Sequence, residues 1–205
     1  MRKSLMVCAM AAGALAGQEP GAWRPMFDGR TLNGWKETPF TGHGTVKVED
    51  AAIILGAGSP MTGLNFTGTF PKGGYELRLE AVRLEGNDFF AGITFPVFDR
   101  FCTWINGGWN GTVVGLSSLD GYDASENETS TRFTFEKGRW YRLRLQVTSE
   151  RIAAWIDDEL VLEFGLGTRE IGLRPGEIEL SKPFGIAAFR TKAGVRKIEY
   201  RVLGD

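Results

Sequence analysis

The stretch 137–164, which reads KGRWYRLRLQVTSERIAAWIDDELVLEF, constrains the fold more than any other part of the chain. Four apolar side chains alternate with polar ones in its first part: Tyr141, Leu143, Leu145 and Val147. This period of two is typical of a strand with one buried face. The pairs Ser149-Glu150 and Asp157-Asp158 separate two further apolar segments, and Asp tolerates the left-handed backbone of hairpin turns. The stretch therefore predicts three consecutive antiparallel strands.

Similar patterns run through the rest of the chain, which has 205 residues, 28 of them Gly. Residues 73–84 alternate clearly, and the segments 45–56, 184–189 and 195–203 are also expected to form strands. The runs DFFAGITF, FCTWIN and TVVGLS are apolar on both faces, so we expect central strands that are covered from both sides or line a cleft. After residue 16 no segment has a helical period of 3.6. We predict an all-β fold, a two-sheet antiparallel β-sandwich or jelly roll over residues 25–204, with the last strand beside the first.

The N-terminus has the pattern of a secretory signal. Arg2 and Lys3 precede an apolar run from Leu5 to Ala16 that ends in small residues. This run is short for a membrane-spanning helix, although a retained membrane anchor is the alternative. We therefore expect a signal peptide over residues 1–16, a linker over 17–24, and an exported protein in the periplasm or outside the cell. After cleavage no membrane association is expected.

Charge and cysteine content exclude several classes of function. The formal net charge is −1 and both signs are well mixed, so the chain lacks the basic footprint of a nucleic-acid-binding protein. Removal of the signal would take Cys8 with it and leave Cys102 without a disulfide partner. Cys102 lies in an apolar strand, so we expect a small buried side chain rather than a nucleophile.

Three segments together resemble the 3-keto-disaccharide hydrolase-like domain family. They are FDGRTLNGWK near the N-terminus, GGYELRLEAVRLEGNDFFAGITF in the middle, and the stretch 137–164 with GIAAFRTKAGVRKIEYRVL at the end. The resemblance implies a sandwich similar to concanavalin A-like lectins and glucanases, with a concave face that holds sugars. It also implies a carbohydrate partner and an exported hydrolase of 3-keto glycosides. The strand FCTWING departs from the family pattern, because many members carry a polar or acidic residue there.

An acidic loop follows the strand TVVGLS. Four carboxylates lie within nine positions: Asp120, Asp123, Glu126 and Glu128. Paired carboxylates can act as general acid and base, and we predict Asp123 and Glu126 as catalytic residues. The alternatives are a solvated loop and a site for a divalent cation such as calcium, which prefers oxygen ligands. No other cofactor is expected. The sequence Asn127-Glu128-Thr129 also fits a glycosylation acceptor.

A second candidate element is the segment WINGGWNG at 104–111. Aromatic rings stack on the apolar faces of sugars, and Asn offers both a donor and an acceptor to hydroxyl groups. We predict that four residues bind substrate: Trp104, Asn106, Trp109 and Asn110. The alternative places Trp104 in the core and makes Trp109 a loop anchor. Other aromatic residues are expected in the core, namely Trp35, Trp140 and Trp155, and the single histidine, His43, is expected on the surface.

The two candidate elements lie at opposite ends of one strand. About six residues of strand span roughly 20 Å, so Trp109 and Glu126 share a cleft only if the acidic loop folds back over the sheet. We predict that it does, since a loop of this length in a compact domain is usually functional or disordered. Two functions remain in competition, a 3-keto-glycoside hydrolase and a non-catalytic lectin-like module, with a purely structural domain as a third. The sequence gives no indication of protein partners.

Overall fold

The computed structural model describes residues 21–204, which form fifteen strands. The strands are β1 (Arg24–Pro25), β2 (Trp35–Glu37), β3 (Val46–Glu49), β4 (Ala52–Leu55), β5 (Met61–Phe66), β6 (Tyr75–Glu85), β7 (Gly92–Val97), β8 (Arg100–Gly107), β9 (Val113–Ser117), β10 (Thr131–Arg132), β11 (Trp140–Val147), β12 (Arg151–Ile156), β13 (Glu159–Gly165), β14 (Gly185–Phe189) and β15 (Lys192–Val202). Helical structure in this part of the chain is limited to a turn at Gly108–Gly111 and a 3₁₀ helix at Glu177–Ser181. None of it is long and apolar enough to cross a membrane.

The strands form two antiparallel sheets packed face to face. The first sheet has the order β13-β12-β11-β6-β15-β4-β3, with β1 beside β15, and the second has the order β10-β9-β8-β7-β14-β5-β2. The predicted meander is present as β11, β12 and β13, and its second turn has Asp157 and Asp158 at φ values of 49° and 72°. The prediction of an all-β, two-sheet antiparallel sandwich is confirmed.

The core lies between the sheets and follows the period of two. On β11 the alternate residues from Tyr141 to Val147 are buried, and on β6 the alternate residues from Tyr75 to Ala81 face the same side. Leu143 pairs with Leu79 and Leu145 with Leu77 across these two strands, so their apolar faces are continuous. The alternation seen in the sequence therefore sets which face of the first sheet is buried.

The first and last strands of the described residues lie side by side. Strand β1 pairs with β15, and the N–H of Met26 donates to the carbonyl of Ile198 at 2.8 Å. Trp23 lies under the guanidinium of Arg78, which is 3.9 Å from the ring centroid. The last strand therefore lies beside the first, as predicted. The proposed signal peptide and residues 17–20 lie outside the described residues and stay predictions.

Two of the three tryptophans expected in the core lie elsewhere. Trp35 is buried, and its Nε1 donates to the carbonyl of Met26 at 2.7 Å. Trp140 and Trp155 are only half-buried, because the period of two places them on the outer face of the first sheet. There the guanidiniums of Arg196 and Arg144 cover the two rings at 4.0 and 3.6 Å from the centroids. The prediction that they belong to the core is wrong, since cation–π stacking replaces core packing.

The second sheet is covered on both faces. Its inner face joins the main core, while its outer face carries two smaller apolar clusters. One cluster contains Phe40, Met61 and Ala187, and the other contains Ile105 and Val113 together with Ala124 of the acidic loop. The sequence predicted strands that are covered from both sides or line a cleft, and β7, β8 and β9 are largely buried on both faces. The space left between the two outer clusters contains the candidate site.

Candidate functional site

A pocket of about 250 Å³ opens on the outer face of the second sheet, beneath the connection that leads from β13 to β14. Its lining combines aliphatic, aromatic, hydroxyl and charged side chains: Met61, Phe89, Thr103, Ile105, Trp109, Ser117, Arg174, Pro175, Glu177, Ile178 and Phe189. The floor is part of the sheet, and segment 174–178 forms one wall. The pocket is therefore built from residues that are distant in sequence.

Aromatic side chains form the apolar part of the pocket. Phe89 contacts both outer clusters, and its ring lies 5.6 Å from that of Phe189. Trp109 contacts the cluster around Ile105 and stands on a tight turn, where its φ and ψ are 45° and 71°. A non-glycine residue in this left-handed region is uncommon and is found mostly where the surrounding structure holds it. The turn thus presents an indole at the pocket rather than in the core.

Hydroxyl groups occupy the floor of the pocket. Thr103 lies on β8 with its side chain on the outer face, and its Oγ1 is 2.9 Å from the Oγ1 of Thr94 on β7. Ser117 ends β9 and also lines the pocket. Both residues are buried, so a ligand that reaches them meets donors and acceptors already shielded from water.

Arg174 and Glu177 carry the charges that line the pocket. The Oε1 of Glu177 accepts the N–H of Thr41 at 3.0 Å. The hydroxyl and the N–H of Thr41 lower the pKa of Glu177 from its ordinary value of 4.5, so this carboxylate is ionised at neutral pH. The Nη1 of Arg174 lies 3.4 Å from the Oδ2 of Asp123, which ties the acidic loop to the pocket.

The acidic loop folds over the outer face of the second sheet. Ala124 packs on Ile105 and Val113. The loop lies close to Gly115, where a Cβ would be 3.0 Å from the carbonyl oxygen of Ala124 and would crowd it. Asn127 holds the loop together: its Nδ2 donates to the carbonyls of Leu116, Tyr122 and Asp123. An amide nitrogen with these three partners is inaccessible to glycosylation in the folded protein.

Three of the four loop carboxylates, those of Asp120, Asp123 and Glu128, pair with arginines. Asp120 and Glu128 both bind Arg169, and Asp123 also accepts the N–H and hydroxyl of Ser125. Within residues 21–204 no group of three or more His, Cys, Asp or Glu side chains could hold a metal ion. His43 is exposed, with its Nδ1 3.6 Å from a carboxylate oxygen of Glu37.

Comparison with known proteins assigns the family. A model of the 3-keto-alpha-glucoside-1,2-lyase-like domain matches residues 22–199. The chain belongs to this family. The match confirms the resemblance drawn from the three sequence segments, and it associates the chain with carbohydrate-active function. No curated protein matches the chain.

Solved structures similar to this 3-keto-alpha-glucoside-1,2-lyase-like domain share its fold. A putative glycosyl hydrolase from Parabacteroides distasonis ATCC 8503 has 13% identity and a TM-score of 0.58, covering 89% of this chain and 94% of that one. The carbohydrate binding module CBM66 from Bacillus subtilis has 12% identity and a TM-score of 0.53, with coverages of 82% and 95%. SCLam, a non-specific endo-beta-1,3(4)-glucanase of family GH16, has 12% identity and a TM-score of 0.56, with coverages of 90% and 91%. At these identities the likeness shows the sandwich fold.

The four residues predicted to bind substrate lie in different places: two are on the turn beside the pocket and two are in the core. Trp109 lines the pocket, and Asn110 is exposed on the same turn. Trp104 is 0% exposed and points into the main core, as does Asn106, whose Nδ2 donates to the carbonyl of Ala91 at 3.0 Å. Neither of these two buried side chains can reach a ligand in the pocket.

The two residues predicted to be catalytic also differ in position. Asp123 does not line the pocket, but it forms an ion pair with Arg174, which does. Glu126 is exposed on the loop and is not among the residues that line the pocket. Sequence reasoning missed the charged residues at the wall, Arg174 and Glu177, because they lie in an irregular connection without a strand or helix pattern. The sequence Arg174-Pro175-Gly176-Glu177, two charges around a turn-forming pair, was the available signal.

The reactivity of the Cys102 thiol tests directly whether this side chain is buried in the core. Its side chain is buried between the sheets, and burial raises the pKa of the thiol to about 12. The thiolate is the reactive form, so we expect no reaction of Cys102 with a thiol reagent at pH 8 in the native state. Denaturation should expose one thiol in a chain that begins at Gly17. Rapid labelling of the native protein, measured by absorbance or mass, would contradict this burial.

Proposed function

We propose that this domain binds one sugar ring of a 3-keto glycoside in the outer-face pocket and cleaves the glycosidic bond by elimination, followed by addition of water. The observation that carries the proposal is the combination of aromatic walls with a carboxylate and a guanidinium, Glu177 and Arg174, at one pocket. The family description, 3-keto-alpha-glucoside-1,2-lyase-like, supports the choice of chemistry.

The size of the pocket favours a single ring. A volume of 250 Å³ corresponds to about eight water molecules at roughly 30 Å³ each. This is room for one hexose ring, and the rest of a longer glycoside would lie outside the pocket. The C–H faces of a sugar can stack on Trp109 and the two phenylalanines, while Thr103 and Ser117 can hydrogen-bond its hydroxyls.

The proposed chemistry begins with the proton on C2 of the sugar. A ketone at C3 makes this proton acidic, because the electron pair left behind can delocalise onto the ketone oxygen as an enolate. Glu177 is ionised and serves as the base that accepts the proton. Arg174 stabilises the negative charge on the oxygen. The enolate then re-forms the ketone while the bond from C1 to the glycosidic oxygen breaks. The leaving oxygen takes up the proton from the carboxyl group of Glu177, which restores the carboxylate.

The remaining steps convert the product of elimination into a 3-keto sugar. Elimination leaves a double bond between C1 and C2, conjugated with the ketone. Water then adds its hydroxyl to C1 and its proton to C2, which restores a 3-keto sugar. In this scheme Asp123 holds Arg174 in place through their ion pair. It is therefore a positioning residue, and the loop contributes to the site through it.

A non-catalytic sugar-binding module is the second candidate. It is favoured by the hydrogen bonds that already occupy the carboxylates near the pocket. Glu177 accepts from Thr41, and Asp123 accepts from Ser125 and pairs with Arg174. A carboxylate held in this way can orient a ligand without transferring a proton.

One experiment separates the two candidates. The chain from Gly17 onward is incubated with a 3-keto disaccharide, with and without a chelator, and the released sugar is followed by chromatography while binding is measured by calorimetry. Release of the second sugar supports the elimination reaction. Binding without release identifies a module, and the absence of both would reject a carbohydrate role for this pocket.

Trp109→Ala is expected to weaken sugar binding at least tenfold, which corresponds to about 1.4 kcal/mol. The substitution removes the indole that stacks on the ring, and the thermal stability should change little because Trp109 lies outside the main core. Trp155→Ala is the matched control, since Trp155 is also half-buried but lies on the outer face of the other sheet. Equal affinities of the two variants, by calorimetry, would place the sugar elsewhere.

A further inference from the structure

Asp88 lies directly behind the aromatic wall of the pocket. It is half-buried in the middle of the connection from β6 to β7, and its Oδ1 accepts the N–H of Phe89 at 2.8 Å. Its own N–H donates to the Oγ1 of Thr191 at 3.2 Å. Asp88 does not line the pocket, but Phe89 does. The carboxylate therefore contacts the backbone that carries one of the pocket rings.

The same carboxylate also reaches the turn that carries Trp109. Gly108, the residue before Trp109, lies close to Asp88, since a Cβ on Gly108 would be 3.9 Å from the Oδ1 of Asp88. The N–H of Trp109 also acts to lower the pKa of this carboxyl. Asp88 therefore lies between the backbone of Phe89 and the turn that carries Trp109, which present two of the three aromatic rings of the pocket.

Arg83 hydrogen-bonds the other end of this turn. It is buried, and its Nη2 donates to the carbonyls of Gly111 and Phe135 at 3.3 and 2.9 Å. A Cβ on Gly111 would lie within 2.4 Å of the Nη1 of Arg83, so the turn packs tightly on the guanidinium. Arg83 and Asp88 come from the same segment of chain and contact opposite ends of the 107–111 turn.

The surroundings of Asp88 disfavour a negative charge on its carboxyl group. Burial raises the pKa of its carboxyl, and this is opposed by the N–H groups of Phe89 and Trp109 and by the charges of Arg190 and Arg83. A neutral side chain would avoid the desolvation of the carboxylate. A carboxylate whose pKa is raised by burial beside a cleft is a candidate for a functional role.

We propose that Asp88 is a positioning residue that orients Trp109 and Phe89 for the sugar, an inference that rests on the proposed function for the identity of the ligand. Removal of the carboxylate leaves both rings in the pocket but releases the turn that holds the indole. The consequence is a lower affinity without a loss of stability, which distinguishes Asp88 from a residue that only supports the fold.

The test uses three single variants and two independent measurements. Asp88→Ala removes both acceptor oxygens, Asp88→Asn keeps one, and Asp99→Ala is the control because Asp99 is an exposed aspartate outside the pocket lining. Proteins labelled with 5-fluorotryptophan report the Trp109 environment by ¹⁹F NMR, with the resonance assigned by Trp109→Phe. Calorimetry with the 3-keto disaccharide gives the affinity, and thermal melting gives the stability.

For Asp88→Ala we expect a shifted or broadened Trp109 resonance, an affinity about fivefold lower, and an unchanged or higher melting temperature. Asp88→Asn should be intermediate in both resonance and affinity, and Asp99→Ala should match the wild type. An unchanged Trp109 resonance in Asp88→Ala overturns the proposal, as does an unchanged affinity when the wild type binds. If the wild type binds no sugar, the proposed function fails and the resonance alone decides the role of Asp88. If Asp88→Ala does not fold, the same criteria apply to Asp88→Asn.

Discussion

Glu177→Gln is expected to lower the rate of sugar release about 100-fold or more, the range typical for loss of a general base. Among the residues that line the pocket, Glu177 supplies the carboxylate. Glutamine preserves the size of the side chain and an oxygen that can accept the N–H of Thr41, but it cannot take a proton from C2. The affinity for the 3-keto disaccharide should change by less than the rate, so the effect should appear in kcat rather than in KM.

The control for this substitution is Glu179→Gln. Glu179 lies on the same 3₁₀ helix, is exposed, and pairs with Lys182 at 3.4 Å outside the pocket. It should retain full activity. Glu126→Ala tests the sequence-based prediction directly. If this variant releases sugar ten times more slowly while Glu177→Gln remains active, the catalytic carboxylate belongs to the acidic loop. A full rate in Glu177→Gln would exclude Glu177 as the base.

The pH dependence follows from the same carboxylate. Thr41 lowers the pKa of Glu177 below 4.5, so the group stays ionised at pH values where an ordinary glutamate has begun to take up a proton. Activity should therefore persist to below pH 4.5 and fall only as the pH passes through the lowered value, provided the fold is intact. Thr41→Pro would remove both the hydroxyl and the N–H that lower this pKa, and we expect it to move the acid limb of the rate profile to higher pH.

Trp104→Ala is expected to lower the free energy of unfolding by about 3–5 kcal/mol, the usual cost of truncating a large buried aromatic residue. Trp104 is fully buried between the sheets, where it pairs across strands with Ile93 and Leu116. The milder Trp104→Phe should cost less, because the Nε1 of Trp104 has no hydrogen-bond partner in the described residues. Denaturant titration followed by circular dichroism measures both effects.

Substitutions of Trp104 should lower the stability and leave the sugar affinity unchanged, whereas substitution of Trp109 should do the reverse. Folded Trp104→Phe protein should bind the sugar as the wild type does, because the side chain points away from the pocket, whereas Trp109→Ala should keep its stability and lose affinity. A Trp104→Phe variant with normal stability and a tenfold lower affinity would show that the core-facing assignment is wrong. The pair therefore tests the placement of both indoles.

The fold was predictable because its signals are local. The alternation on β6 and β11 and the Asp157-Asp158 turn each depend on neighbouring residues, and the period of two decides which side chains share a face. The three family segments are local patterns as well. For these reasons the sequence predicted a two-sheet antiparallel sandwich and its family, and the structure and the family match bear out both.

The site depended on contacts between distant parts of the chain. Trp104 and Trp109 are five positions apart in one apolar segment, and only the direction of β8 and the left-handed turn after it place one indole in the core and the other in the pocket. Glu177 and Arg174 reach the same pocket from an irregular connection that has no periodic pattern. Trp140 and Trp155 lie on the outer face of the first sheet by the period of two, and tertiary packing adds the arginines from other strands that cover them there. Sequence by itself determined the strands and their buried faces, whereas tertiary packing decided the pocket, because which groups meet across a sheet depends on strand order and loop path rather than on any local propensity.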